Sequence, residues 1–304
     1  MNDLKAGVKA ENPLLSQNGG TTMSSKYDPY HISQFYDTYS EREWGRFDLT
    51  PARKVNFHIH RWYLQQYIKA GDHVLDVGAG PGRYSIEMAK LGATITAGDI
   101  SPGQLELHRE KVAEAGYEEA IVAREVVDIV DLSKFASDSF DAVVCYGGPL
   151  SYVFERADDA MKELLRVTKP GGYVLLSVMS LIGTTRAFLP GVVALAKRHG
   201  LERIQQVNDT GDLYGDVATD GHNCHMYRWS DLQALLQQHP CTLVAASASN
   251  FLSIRNDEML QEVMNDDQMW ETFLRWEIDF CKEPGAIDGG THIIAVVQSN
   301  PRQD

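Results

Sequence analysis

The chain has 304 residues, 43% of them hydrophobic and 23% charged, with 28 Lys and Arg against 42 Asp and Glu, a formal charge of −14. That is the composition of a globular protein with enough chain for a large core, and it excludes disordered, collagen-like and disulfide-scaffold classes. The acidic excess repels polyanions, so nucleic acid is not an expected partner. Cys145, Cys224, Cys241 and Cys281 show no Cys-x-x-Cys spacing, so no metal site and no disulfide framework is expected, and a reducing, cytoplasmic setting fits. The most apolar stretch, around Val174 to Ile182, is broken by Ser177 and Ser180; neither a membrane span nor a signal peptide is expected.

Residues 1–25 are rich in Asn, Gly, Ser and Lys without apolar periodicity and suggest a disordered leader. Residues 26–69 form an N-terminal helical cap. Aromatic residues crowd between Tyr27 and Phe47, and Thr50-Pro51 then supplies an N-cap and a first-turn proline for a helix through about Ile68. From His73 short apolar runs alternate with amphipathic segments, the pattern of strand-helix repeats and a parallel sheet. Strands are expected at 73–77, 94–98, 121–127, 141–146 and 172–179, with helices at 83–91, 102–115 and 155–167. Lys169-Pro170-Gly171-Gly172 stops the last of these.

After Ser180 the alternation lapses for about fifty residues. Phe188 to His199 looks helical there, Asp209 to His225 looks like a Gly- and Asp-rich loop, and 181–229 is assigned as an acceptor-side insertion or lid. A helix capped by Ser230, a strand at 242–249, one long helix over 257–281 and a last strand at 291–297 complete the 70–304 domain.

The informative span is His73-Val-Leu-Asp-Val-Gly-Ala-Gly-Pro-Gly-Arg-Tyr-Ser85. It places a buried strand, an acid, three glycines and a helix start together, so a ligand can approach the backbone and unpaired helix N–H groups. The glycines fall at 78, 80 and 82, with Arg83 where a dinucleotide fingerprint needs its third glycine. Asp76 would repel a pyrophosphate and attract an amino group or a sulfonium. Asp99, 21 residues past Gly78, ends the second strand where an acid can accept both hydroxyls of a ribose. Asp128-Ile129 offers a polar contact and an apolar wall to an adenine.

These residues resemble the class I S-adenosylmethionine-dependent methyltransferases, in the small-molecule branch akin to ubiquinone-pathway enzymes. The likeness implies an α/β Rossmann-like fold: a doubly wound, seven-stranded, mostly parallel sheet, with an N-terminal helical cap and an insertion after the fifth strand. It implies S-adenosyl-L-methionine as cofactor and Asp76, Gly78, Gly80, Gly82, Asp99, Ile100, Asp128, Ile129, Tyr146 and Gly147 as the residues that bind it. The implied activity is methyl transfer to O, N or S of a small organic acceptor by in-line displacement. A binding or regulatory module that no longer transfers a methyl is the alternative. The segment Cys145-Tyr-Gly-Gly-Pro-Leu-Ser-Tyr152 departs from the Asn-Pro-Pro-aromatic sequence of base-methylating relatives, which speaks against RNA; protein is the other large substrate class disfavoured here.

On the acceptor side, Gly221-His-Asn-Cys-His-Met-Tyr-Arg-Trp229 offers His222, His225 and Tyr227 as candidates for a base or for orienting the acceptor, with loop packing as the alternative. Tyr36, Tyr39 and Trp44 are candidates for a lid over cofactor and acceptor, and Arg186 for meeting an acidic acceptor. His58 and His60 lie two apart on a helix, face different directions and make no joint metal site.

Overall fold

The computed structural model describes residues 26–215 and 222–301; the proposed leader lies outside them. Three helices come first: α1 (Pro29–Tyr39), α2 (Glu41–Gly45) and α3 (Pro51–Tyr67). Asp28 caps α1 by accepting from His31 N, and Thr50 caps α3 with Pro51 in its first turn. Ser40, at φ +43°, separates α1 from α2.

The repeat then runs β1 (His73–Val77), α4 (Arg83–Lys90), β2 (Thr94–Asp99), α5 (Pro102–Glu114), β3 (Ile121–Val126), β4 (Phe140–Cys145), α6 (Pro149–Tyr152), α7 (Ala157–Val167) and β5 (Thr168–Met179). The insertion holds α8 (Leu181–Ala187), α9 (Leu189–His199), α10 (Leu201–Thr210) and a two-residue pair, β6 (Asp212–Leu213) with β7 (Cys224–His225). The chain closes with α11 (Trp229–Leu236), β8 (Cys241–Ala248), α12 (Asp257–Val263), α13 (Asp267–Cys281) and β9 (His292–Ser299).

The seven-stranded sheet has the order β3-β2-β1-β4-β5-β9-β8. Its strands are parallel except β9, which runs antiparallel to both β5 and β8. Successive residues of the central strands feed opposite faces: Val143 and Cys145 join one core, Ala142 and Val144 the other. Helices cover both faces, which is why these strands are continuous apolar runs rather than alternating ones. Strand order reverses between β1 and β4, and at such a switch point the loops leaving the carboxyl ends of the strands open a crevice.

Several expectations need correction. The helix expected at 257–281 is two helices, because Asp266 turns its carboxylate back to cap Met269 N and starts α13 afresh. The Pro170-Gly171-Gly172 turn lies inside β5, where Thr168 already pairs with Phe140 ahead of an irregularity in register. Arg228, not Ser230, is the N-cap of α11, with Asp231 accepting from its N–H. The insertion carries α8 and α10 beside α9, which falls where a helix was expected, and Gly200 and Gly211, both at positive φ, provide the turns that end α9 and α10.

Candidate functional site

The crevice is built by three turns. After β1, Gly78 takes φ +73°, and a Cβ there would fall 2.2 Å from Pro149 Cγ, so only glycine lets the β1 and β4 loops close on each other. Gly80 N donates to Asp99 Oδ2 at 2.8 Å, and Ser101 N donates to Asp99 Oδ1 at 2.9 Å. Asp99 therefore stands fixed at the end of β2, with lone pairs left to accept from a ligand. Burial raises its carboxyl to about 6 against the pull of these backbone N–H groups.

The resulting cleft, about 830 Å³ with open solvent at its mouth, is lined by Gly78, Gly80, Asp99, Ile100, Asp128, Ile129, Tyr146 and Gly147. Eight of the ten residues expected to bind the cofactor thus meet on one wall. Asp76 and Gly82 stand behind it. Ser85 donates to Asp76 Oδ2 at 2.6 Å, and His108 Nε2 lies 3.0 Å from the same hydroxyl. Arg124 Nε donates to His108 Nδ1 at 3.0 Å, so the imidazole donates to Ser85 through Nε2. Burial lifts the Asp76 carboxyl to about 7. Gly82, at φ +89°, lets α4 approach α5: a Cβ would meet His108 and Val112 at 2.9 Å.

The N-terminal segment roofs this cleft. Tyr27 donates to Asp128 Oδ2 at 2.5 Å, Ser33 to Ile100 O at 3.0 Å, and Gln104 Nε2 to Tyr36 O at 2.9 Å. Asp37 accepts from Ser101 Oγ at 2.5 Å and from Gly103 N at 2.9 Å. Tyr27, Ile32, Tyr36, Glu43, Arg46 and Phe47 become cleft wall. A second cleft adjoins the first and shares Tyr36, Glu43, Arg46, Phe47, Gly147 and Tyr152 with it. Its other walls bring together α3, the insertion, the loop after β8 and the start of β9, through residues such as Asn56, Phe188, His222, Ile254 and His292. Tyr36 Oη donates to Tyr152 Oη at 2.6 Å where the two clefts meet.

The acceptor-side candidates divide. His222 lines the second cleft, with its ring 5.0 Å from Phe35 and 6.1 Å from Tyr152, and Tyr39 lines it too. His225 does not line either cleft: its Nδ1 lies 2.8 Å from Asp212 Oδ1, and Lys26 Nζ donates to the other oxygen at 2.7 Å. Tyr227 is buried beneath it, with its hydroxyl toward Leu150 O at 3.5 Å. Trp44 faces away, its ring 5.0 Å under the Arg83 guanidinium. Arg186 is held by Phe251, donating to its carbonyl at 2.8 Å.

Sequence reasoning passed over Glu43, Arg46 and Tyr152. A Glu-x-x-Arg pair set among Trp44, Phe47 and Tyr39 carried a usable signal, since charges inside an aromatic cluster are poor candidates for a solvated face. The pair is closed, with Arg46 Nε 2.5 Å from Glu43 Oε1.

Residues 74–172 match a family model described as a methyltransferase domain. Methyltransferase GfsG of Streptomyces halstedii is 33% identical over 147 residues, 47% of this chain and 51% of the relative. Ubiquinone biosynthesis O-methyltransferase of Xanthomonas axonopodis pv. citri is 35% identical over 127 residues, 41% of this chain and 49% of the relative. Residues 74–172 thus match a methyltransferase domain, and their glycine turn and Asp99 resemble the S-adenosylmethionine site of the class I methyltransferases. The chain spans about half the length of these curated relatives. Among solved structures, the [4+2]-cyclase SpnF superposes with TM-score 0.59 at 16% identity, over 90% of this chain and 97% of that one. An S-adenosylmethionine-dependent methyltransferase of Methanosarcina mazei gives 0.52 at 18%, over 79% and 98%. At such identities these show the methyltransferase fold alone.

The residues present fit the domain's cofactor. The glycine turn admits a close ligand, Asp99 is pre-set to accept hydroxyls, and Tyr84 Oη and Tyr146 Oη are buried at the cleft without a protein partner. Among the described residues, no helix is long and apolar enough to cross a membrane, and no group of three or more His, Cys, Asp or Glu is arranged to hold a metal ion.

Proposed function

We propose that the chain transfers a methyl group from S-adenosylmethionine to a small organic acceptor seated in the second cleft, at an oxygen, nitrogen or sulfur atom. The observation that carries this is the shared wall: Gly147 and Tyr152 line both clefts, so a group at that end of the first lies beside the second. When bound, the cofactor would supply an electrophilic methyl on a sulfonium, a centre that becomes a neutral thioether on transfer. The protein positions the nucleophile in line and keeps water out, the main demands of such a displacement. Asp99 and Gly80 hold the ribose, Asp128 and Ile129 the adenine, and the roof from Tyr27 to Phe47 closes over both.

For a hydroxyl acceptor, His222 is the expected histidine base; an amine or thiol that has already lost its proton needs none. His225 and Tyr227 take structural roles. The acidic surface supports a small acceptor over a nucleic acid. The second reading is a cofactor-binding module without transfer; the fold by itself does not decide between the two, since SpnF, a [4+2]-cyclase, shares it.

Incubation of the protein with isotopically labelled S-adenosylmethionine and a metabolite extract, followed by mass spectrometry, tests the proposal. Labelled methyl in a small molecule with S-adenosylhomocysteine in equal amount is expected. Tight cofactor binding without any such product would replace it with the second reading.

A further inference from the structure

We propose that Glu43 and Arg46 read the amino-acid end of the cofactor, Glu43 receiving its α-ammonium and Arg46 its α-carboxylate. The inference rests on the methyl-donor reading above. Elimination within the first cleft leads to it. The acids on its wall are Glu43, Asp99 and Asp128, and its cations are Arg46 and Arg83. Asp99 stands at the ribose position, and Asp128 at the adenine side. Arg83 is committed elsewhere, donating to Asp48 Oδ2 at 2.8 Å and to Trp44 O at 3.3 Å. Asp76, which the sequence offers for the ammonium, is spent on Ser85 behind the wall. One acid and one cation remain, and they are neighbours.

Their placement agrees. Glu43 Cγ would lie 3.8 Å from a Cβ added to Gly80, and Arg46 Nη2 would lie 3.1 Å from one added to Gly147. The pair therefore spans the glycine turn from the Asp99 side to the β4 loop, where the two clefts join. Tyr84 Oη and Tyr146 Oη, buried and unpartnered, line the same cleft with their rings 5.2 Å apart, and can donate to a carboxylate.

An ammonium and a carboxylate on one carbon match a carboxylate and a guanidinium 2.5 Å apart. Binding exchanges one internal ion pair for two external ones in a site already shielded from water, which limits the desolvation to be overcome. Because both residues sit on the roof, the amino-acid end also becomes the part of the ligand that holds the roof shut.

The test is calorimetry on the full chain with S-adenosylhomocysteine and with 5′-methylthioadenosine, which keeps the adenosine and the sulfur but lacks the amino-acid end. Arg46→Ala and Glu43→Gln should each weaken S-adenosylhomocysteine by about ten- to a hundredfold and leave 5′-methylthioadenosine within about threefold. Retained binding of the shorter ligand shows that the variant is folded. For the carboxylate alone, Arg46→Lys should bind S-adenosylhomocysteine between wild type and Arg46→Ala. It should bind decarboxylated S-adenosylmethionine as wild type does. Equal losses for both ligands, or unchanged S-adenosylhomocysteine affinity, would overturn the assignment while leaving the methyl-donor reading in place. Failure of wild type to bind either ligand would overturn that reading and the assignment with it.

Discussion

Asp99 offers the most direct test of the cofactor cleft. Its two oxygens each accept one backbone N–H, from Gly80 at 2.8 Å and Ser101 at 2.9 Å. Asparagine has the same shape but one acceptor oxygen, so Asp99→Asn must turn an amide N–H toward one of those donors and gives up the charge-assisted bonds to the ribose. Charge-assisted bonds contribute about 1.5–3 kcal/mol, so cofactor affinity should fall roughly 10- to 150-fold.

The pH dependence carries a sign. Burial raises the Asp99 carboxyl to about 6 in the unliganded protein, and the ligand needs the ionised form. Affinity should therefore be full above about pH 6 and fall by up to tenfold per unit below it, and the Asn variant should lack this limb. Calorimetry at several pH values, with thermal melts to establish folding, reads both effects. A folded variant that binds like wild type, or wild-type affinity that stays flat down to pH 5, would refute the placement of the ribose at Asp99.

Four further outcomes follow from particular contacts. Asp76 has its folded carboxyl raised to about 7 from an ordinary 3.8, so its contribution to stability falls as pH rises between those values; melts of Asp76→Asn should gain on wild type between pH 5 and pH 8, and a pH-independent difference would contradict the burial argument. Gly82→Ala must place a Cβ at φ +89° and 2.9 Å from His108 and Val112, and denaturant unfolding should show a loss of about 2–4 kcal/mol. A chain beginning at Thr50 should still unfold cooperatively but lose turnover by roughly a hundredfold or more, because the roof of both clefts is gone; full activity would reduce the aromatic segment to packing. His225→Ala should lower the melting temperature by breaking the Asp212 pair and leave the single-turnover rate near wild type, whereas His222→Ala should slow a hydroxyl acceptor by about 10²- to 10⁴-fold.

The parts of this protein that are local were legible in its sequence, and the parts made by docking were not. The β1 run, the glycine turn and the α4 start are contiguous, and hydrophobic period plus positive-φ chemistry is enough to place them. Asp99 is found by its spacing from the first glycine. The break between α12 and α13 escaped because Val263, Trp270, Phe273 and Leu274 keep a helical spacing across the polar Asn265-Asp266-Asp267, and only the cap on Met269 N marks the new start.

Asp76 misled for a different reason. Its partner Ser85 sits on the following helix, and that helix is pressed close by packing against α5 through Gly82, so the hydroxyl reaches the carboxylate before any ligand can. His225 likewise looked available until a two-residue pair of short strands set it opposite Asp212, 13 residues away. Glu43 and Arg46 have only their aromatic neighbours as a local sign of burial; they are enclosed because α1 is tied down to Ser101, Gly103 and Gln104.

The division between the two clefts also sets what likeness to other proteins can carry. Within residues 74–172, the span of the family match, lie the glycine turn, Asp99, Asp128 and the β4 loop, which together make most of the first cleft. Of the second cleft, that span includes only Gly147 and Tyr152 among the lining residues. The rest comes from α1 to α3, the insertion, the loop before α12 and the start of β9. Loops leaving a fixed sheet are constrained by backbone geometry, so a shared ligand can persist across distant relatives. Roof and insertion are free to change length and lining, so what the second cleft holds is not carried by the family match. Under the proposed function the acceptor is therefore to be sought from the chain's own second cleft, an aromatic and aliphatic wall of Tyr39, Phe47, Phe188 and Ile254 with the polar line of Asn56, His222, Thr291 and His292. That pairing asks for a flat or compact apolar body with a polar edge, one that presents its nucleophile toward Gly147 and Tyr152.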